Sequence, residues 1–257
     1  MMQFSLLGSG SSGNALLVST PDTRILIDCG LSVRQLRLRA AALGEAIENI
    51  DAVFVTHEHG DHCLGLGTLA RQCGVPVFMT PGTLANLPKK VGVLPTVTPF
   101  EAGESVEIGA VRVGSFSVTH DAADPVGYCI ESNGTKLGIA CDLGLVTNLV
   151  RLQLEGSHAL ILESNHCPRM LQNSSYPPAI QQRIAGNMGH LSNQNACSLL
   201  SSILHDRLQL VVLVHISEQN NSPELAVSMA TRALNGHPAE LHVAPQDRPT
   251  RLFTVAA

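Results

Sequence analysis

The feature that most limits what this chain can become is an apolar run, Ala52-Val53-Phe54-Val55, that leads through Thr56 into His57-Glu58-His59-Gly60-Asp61-His62. A run of this kind reads as a buried strand, and three imidazoles and two carboxylates at its end need partners other than the core. Residues two apart on an extended chain point the same way, so His57 and His59 are placed to grip one cation together. Gly60 then permits a sharp turn, after which Asp61 and His62 serve a second ion. Imidazole with carboxylate is a ligand set suited to Zn(II), and also to Mn(II) or Fe(II). A solvated histidine-rich loop is the competing reading, but a shuffled chain of this composition rarely assembles the pattern.

The remainder reads as a layered α/β protein. Hydrophobic residues make up 44% of the 257, charged residues 14% and aromatics 3%, with no Trp, so Leu, Val, Ile and Ala must build the core. No linker or low-complexity stretch divides the chain, and one domain over residues 1–257 is expected. The net charge of -5 argues against a broad basic surface for nucleic acid, while leaving room for a local groove. Bound cations would add positive charge where a phosphate sits. Cys29, Cys63, Cys73, Cys129, Cys141, Cys167 and Cys197 form no C-x-x-C pair and are odd in number, which favours reduced thiols in the cytoplasm. The N-terminal apolar run stops at Gly8, too short for a signal segment or a membrane span, so a cytoplasmic protein without membrane association is expected.

Hydrophobic periodicity predicts strands at 2–7, 15–19 and 24–28, a helix from an N-cap at Ser32 to Leu43, and the strand 51–55. It then predicts helices at 64–73 and 82–87 around a strand at 76–79, and several strands between 96 and 141. The last third gives strands at 159–162 and 209–214, helices at 177–185, 193–204 and 223–234, and two edge strands near 240–243 and 251–255. This recurrence in two halves suggests two packed sheets with helices outside.

The segment Thr56 to His62 resembles the signature of the metallo-β-lactamase fold superfamily. Leu7-Gly8-Ser9-Gly10-Ser11-Ser12-Gly13-Asn14, Gly189-His190-Leu191-Ser192-Asn193 and Val214-His215-Ile216-Ser217-Glu218-Gln219-Asn220-Asn221 resemble the YycJ/WalJ-like metallohydrolases, relatives of ribonuclease Z described as DNA exonucleases. The resemblance implies a four-layer αββα sandwich, two mixed sheets flanked by helices, with metals at one edge between the sheets. It also implies further ligands. His120 follows the apolar stretch Val111 to Val118, Asp142 matches the aspartate that bridges both metals, and His215 matches the last ligand. One ion would take His57, His59, His120 and Asp142, the other Asp61, His62, Asp142 and His215.

The resemblance further implies a binuclear hydrolase in which a hydroxide held between two divalent ions, most readily Zn(II), attacks a phosphodiester. Asp61 would orient or accept a proton as well as ligate. His190 would contact the scissile phosphate or protonate the leaving oxygen, with Ser192 and Asn193 at the helix start beside it as further substrate contacts. Glu163, in Glu163-Ser164-Asn165-His166-Cys167, has a catalytic or supporting role; Cys167 stands where the relatives carry an acidic residue, so supporting His190 or His215 is the better expectation. Arg169, Arg183, Arg34 and Arg37 are candidates for phosphate contacts. The expected partner is nucleic acid, DNA rather than RNA, with a homodimer left open. Hydrolysis of a small ester, thioester or lactam is the alternative, although no Gly-His-Thr-Pro-Gly segment is present.

Overall fold

The chain builds two seven-stranded sheets, one from its first half and its last strand, the other from the rest of the second half. In a computed structural model describing residues 1–257, the first half runs β1 (Met2–Gly8), β2 (Ala15–Ser19), β3 (Arg24–Ile27), α1 (Val33–Ala41), β4 (Ala52–Phe54), α2 (Gly60–Cys63), α3 (Leu66–Cys73), β5 (Val77–Met79), α4 (Pro81–Asn86) and β6 (Val97–Pro99). The second half opens with the meander β7 (Ser105–Ile108), β8 (Val111–Ser117), β9 (Val126–Ser132) and β10 (Thr135–Ala140). It continues with α5 (Asn148–Leu154), β11 (Ala159–Glu163), α6 (Pro168–Gln172), α7 (Pro178–Ala185), α8 (Asn193–Ser202), β12 (Leu210–Val214), α9 (Pro223–Leu234), β13 (Glu240–Val243) and β14 (Phe253–Val255). The sheet orders are β14-β1-β2-β3-β4-β5-β6 and β13-β12-β11-β10-β9-β8-β7, so the last strand crosses back to pair with the first.

Alternate residues of each central strand enter different apolar layers. Phe4, Val18, Ile25 and Phe54 meet Val113, Tyr128, Ile139, Ile161 and Val212 between the sheets. The other faces pack on helices: Leu17, Leu26 and Val53 against Leu36 of α1 and Leu69 of α3, and Leu160, Val211 and Leu213 against Val150 of α5, Leu199 of α8 and Ala226 of α9. The result is the four-layer αββα sandwich. Strands covered on both faces explain the uninterrupted apolar runs, and each buried Leu, Val or Ile contributes roughly 1.5–3 kcal/mol.

Ser32, Thr80, Ser192 and Ser222 cap α1, α4, α8 and α9, their side chains accepting from the backbone N–H of Gln35, Thr83, Asn195 and Leu225. Two expectations need correction. The helix expected over 64–73 is two helices, α2 and α3, either side of Leu64 and Gly65, and glycine is required at 65 because a Cβ there would strike the carbonyl oxygen of Leu31. Gly60 makes no glycine-specific turn, since it opens α2 and does not have a positive φ. Two short helices, α5 and α6, fall where no helix is predicted, each too short to show a period. No helix is long and apolar enough to cross a membrane.

Candidate metal centre

Strands β10, β11 and β12 are mutually parallel, and β8 shares their direction because both it and β10 run antiparallel to β9. Their C-terminal ends therefore lie along one edge, where open α/β sheets present their chemistry. His120 follows β8, Asp142 follows β10, Glu163 ends β11 and His215 follows β12, while β4 of the other sheet delivers His57 to His62. Asp28, Asp142 and His215 have φ of 62°, 53° and 56°, and they are three of only five non-glycine residues in the left-handed region. Each such kink costs about 1–3 kcal/mol, a strain that persists where surrounding structure fixes the site.

Hydrogen bonds decide which ring nitrogen faces the centre. Nδ1 of His120 lies 3.0 Å from the carbonyl oxygen of Gly189, an obligate acceptor, so Nδ1 carries the proton and Nε2 turns its lone pair inward. Thr56 Oγ1 donates to Asp28 and so accepts from Nδ1 of His57, 3.0 Å away, which leaves Nε2 of His57 free. His62 donates Nδ1–H to Asp28 Oδ2 at 2.8 Å and points Nε2 at Asp142. Outer partners that orient ligating imidazoles in this way are usual at metal sites.

Two groups of ligand atoms result. His57 Nε2 and His120 Nε2 lie 3.0 and 3.3 Å from Nδ1 of His59, three nitrogens converging on one point. On the other side, Asp61 Oδ2 is 3.5 Å from His62 Nε2 and 3.7 Å from His215 Nε2. Asp142 stands between, its Oδ2 2.8 Å from His62 and its Oδ1 3.2 Å from both His190 and His215. Converging imidazole lone pairs repel unless a cation lies among them, and Nε2 of His215 is buried with no protein partner. The residues therefore fit divalent cations.

Residues 23–216 match the family described as the β-lactamase superfamily domain. The chain belongs to the β-lactamase superfamily. Exodeoxyribonuclease YycJ of Bacillus anthracis is 34% identical, covering 98% of both chains. Exodeoxyribonuclease WalJ of Streptococcus pneumoniae is 32% identical over 87% of this chain and 85% of its own. The metallo-β-lactamase fold protein YhfI of Bacillus subtilis superposes with a TM-score of 0.72 at 16% identity, over 98% of this chain and 100% of its own. This β-lactamase superfamily member is thus a metal-dependent hydrolase, and its fold implies divalent metal binding.

The superfamily site extends beyond the residues that sequence singled out. Asp28, almost fully buried, accepts from Thr56 and His62, and Asn14 Nδ2 lies 2.9 Å from Nε2 of His62. Asp28-Cys29-Gly30 repeats the strand-end Asp-x-Gly pattern of Asp142-Leu143-Gly144, a signal that would have found it. Gly30 is required there because a Cβ would strike the backbone of Asp61. Asp121 Oδ1 lies 3.3 Å from Nε2 of His120, and its other oxygen accepts from Arg183 at 2.6 Å. No sequence pattern marks Asp121. Of the other arginines, Arg37 is paired with Glu48, away from the site.

Glu163 is completely buried. Its Oε1 accepts from His190 Nδ1 at 2.7 Å and lies 3.1 Å from His215 Nδ1, while Oε2 accepts from the N–H groups of Leu143 and Leu191. It positions His190 and His215. Ser192 and Asn193 depart from the expected substrate contacts. The Ser192 hydroxyl caps α8, the Asn193 amide is buried against Ser164 and Asn221, and the N–H groups of Leu191, Asn193 and Asn195 are already bonded within the protein.

Burial drives His57 and His120 below the ordinary imidazole value, with the neighbouring histidines adding to the effect, so both rings are neutral. Burial would do the same to His62, but Asp28 and Asp142 overcome it and hold the ring well above that value. Against the same opposition from burial, Asp142 with Asp61 and Glu163 lifts His215 to about 9. Burial also opposes His190, which Glu163 and then Asp142 raise to about 11. Burial would raise Asp142, yet His215 and His62 keep it well below the carboxylate range.

Proposed function

We propose that this hydrolase is a two-metal phosphodiesterase that removes nucleotides from the ends of DNA strands. Two divalent ions, Zn(II) by donor type, would be held by His57, His59, His120 and Asp142 on one side and by Asp61, His62, Asp142 and His215 on the other. Such ions supply Lewis acidity, lowering the pKa of water and offsetting charge on a phosphoryl group.

The observation that carries the reading is His190. Its Nδ1–H is tied to Glu163 Oε1 at 2.7 Å, and its ring also lines the cavity beside the ligand cluster. Held as an imidazolium, it offers Nε2–H to that cavity, where a proton can pass to a departing 3′- or 5′-oxygen or bond a phosphoryl oxygen. Asp61, partly open to solvent, accepts from the side chain of Asn14 and turns the same oxygen toward Nε2 of His215, 3.7 Å away. The exodeoxyribonuclease names of the two relatives support a DNA substrate.

Assays of the metal-loaded protein on end-labelled DNA, RNA, bis-p-nitrophenyl phosphate and a thioester test this. Release of mononucleotides from DNA is expected, and thioester turnover without phosphodiester cleavage overturns it. His190→Ala is expected to lower turnover with about two metal ions per chain retained; loss of metal means that His190 ligates instead.

A further inference from the structure

The chain contains two Tyr, six Phe and no Trp. All six phenylalanines are buried, and Tyr128 lies in the layer between the sheets with its hydroxyl bonded to the carbonyl of Val55. Tyr176 is the one remaining aromatic of this kind. It lies between α6 and α7, half-buried, and forms part of the wall of a cavity of about 260 Å³ whose floor includes His190 and His215.

The same wall carries Ile184 of α7, a helix that buries none of its residues in the core. Ser11 and Ser12 of the β1–β2 loop, together with Gln219, supply neutral polar groups that both donate and accept. An aromatic face, an aliphatic neighbour and hydroxyl and amide groups are the chemistry that recognises a nucleobase by stacking with little preference for sequence. The volume lies just below the range of about 300–1,000 Å³ usual for ligand pockets, which suits one nucleotide rather than a length of strand. Keeping the only such ring out of the core costs apolar burial, which a stacking role accounts for.

We propose that this cavity is the pocket for one terminal nucleotide, with Tyr176 as the face on which its base stacks. The proposal rests on the phosphodiesterase reading and deepens it. A strand end seated there places the first phosphodiester beside His190, so hydrolysis releases one nucleotide at a time.

The test compares the holoenzyme with Tyr176→Ala and Tyr176→Phe on thymidine p-nitrophenyl phosphate esters and on methyl p-nitrophenyl phosphate, which has no base. Tyr176→Ala is expected to lower kcat/KM for the nucleoside esters between about fivefold and a hundredfold, mostly through KM, and to leave the methyl ester unchanged. Tyr176→Phe is expected to retain wild-type selectivity. As a readout independent of turnover, an uncleavable oligonucleotide carrying 2-aminopurine at either end should show quenched fluorescence at one end with wild type and Tyr176→Phe, and not with Tyr176→Ala. Equal loss on both ester types, or quenching that persists in Tyr176→Ala, overturns the proposal. Failure of the wild type to cleave either ester overturns the phosphodiesterase reading instead, and the quenching still reports on the pocket.

Discussion

The carboxylate of Glu163 lies 2.7 Å from Nδ1 of His190, at the fully buried end of β11. It fixes the direction of that ring without itself reaching the cavity. Glu163→Gln keeps the shape but removes the charge that holds His190 protonated. Turnover is expected to fall about 10- to 100-fold, with the alkaline limb of the pH–rate profile moved to lower pH. Glu163→Ala also strands the N–H groups of Leu143 and Leu191, and denaturant titration should show about 1–3 kcal/mol lost for each.

Asp28 makes no contact with the cavity, yet it holds both Thr56 and His62. Asp28→Ala releases the His62 ring, and competition with a chromophoric chelator should show metal affinity weakened by about 10- to 100-fold. Asp28→Asn, which retains an acceptor for Thr56, is expected to unfold less readily than Asp28→Ala.

Metal loading should release protons. Without metal at pH 7, His62 and His215 are protonated, whereas His57 and His120 are neutral and have none to give up. Calorimetric titration in two buffers of different ionisation heat should find proton release that declines as pH rises through about 9 for His215, with apparent affinity rising over the same interval. The sign for the metal-free fold is opposite. A raised histidine pKa stabilises the protein fully below its unfolded value near 6.5, and that contribution is lost as pH rises through about 9. Pure uptake without proton release contradicts this assignment.

Arg183 bonds Asp121 through Nε, and its side chain is 63% exposed near the mouth of the site. Arg183→Ala should change stability by less than about 0.5 kcal/mol. KM for single-stranded DNA should rise, and the slope of log affinity against log salt should flatten by about 0.7, one phosphate contact.

The sequence by itself determined the ligands that lie in one segment. His57, His59, Asp61 and His62 sit within six residues behind a buried strand, so alternation and spacing alone bring them together. It also determined the layers, because apolar runs covered on both faces admit few arrangements. Tertiary structure decided everything that depends on which strand ends share an edge. His120, Asp142, Glu163 and His215 are up to about a hundred residues apart, and only the sheet register aligns them, β10, β11 and β12 being parallel and β8 sharing their direction across β9. Composition gives Asp121 no distinction from a turn residue until His120 and Arg183 are in place around it. Ser192 and Asn193 show the converse, since a helix start that reads as open to substrate is closed by the protein's own hydrogen bonds. Tyr176 belongs to the same class: whether an aromatic ring enters the core or stays outside is set by packing, which local sequence does not encode.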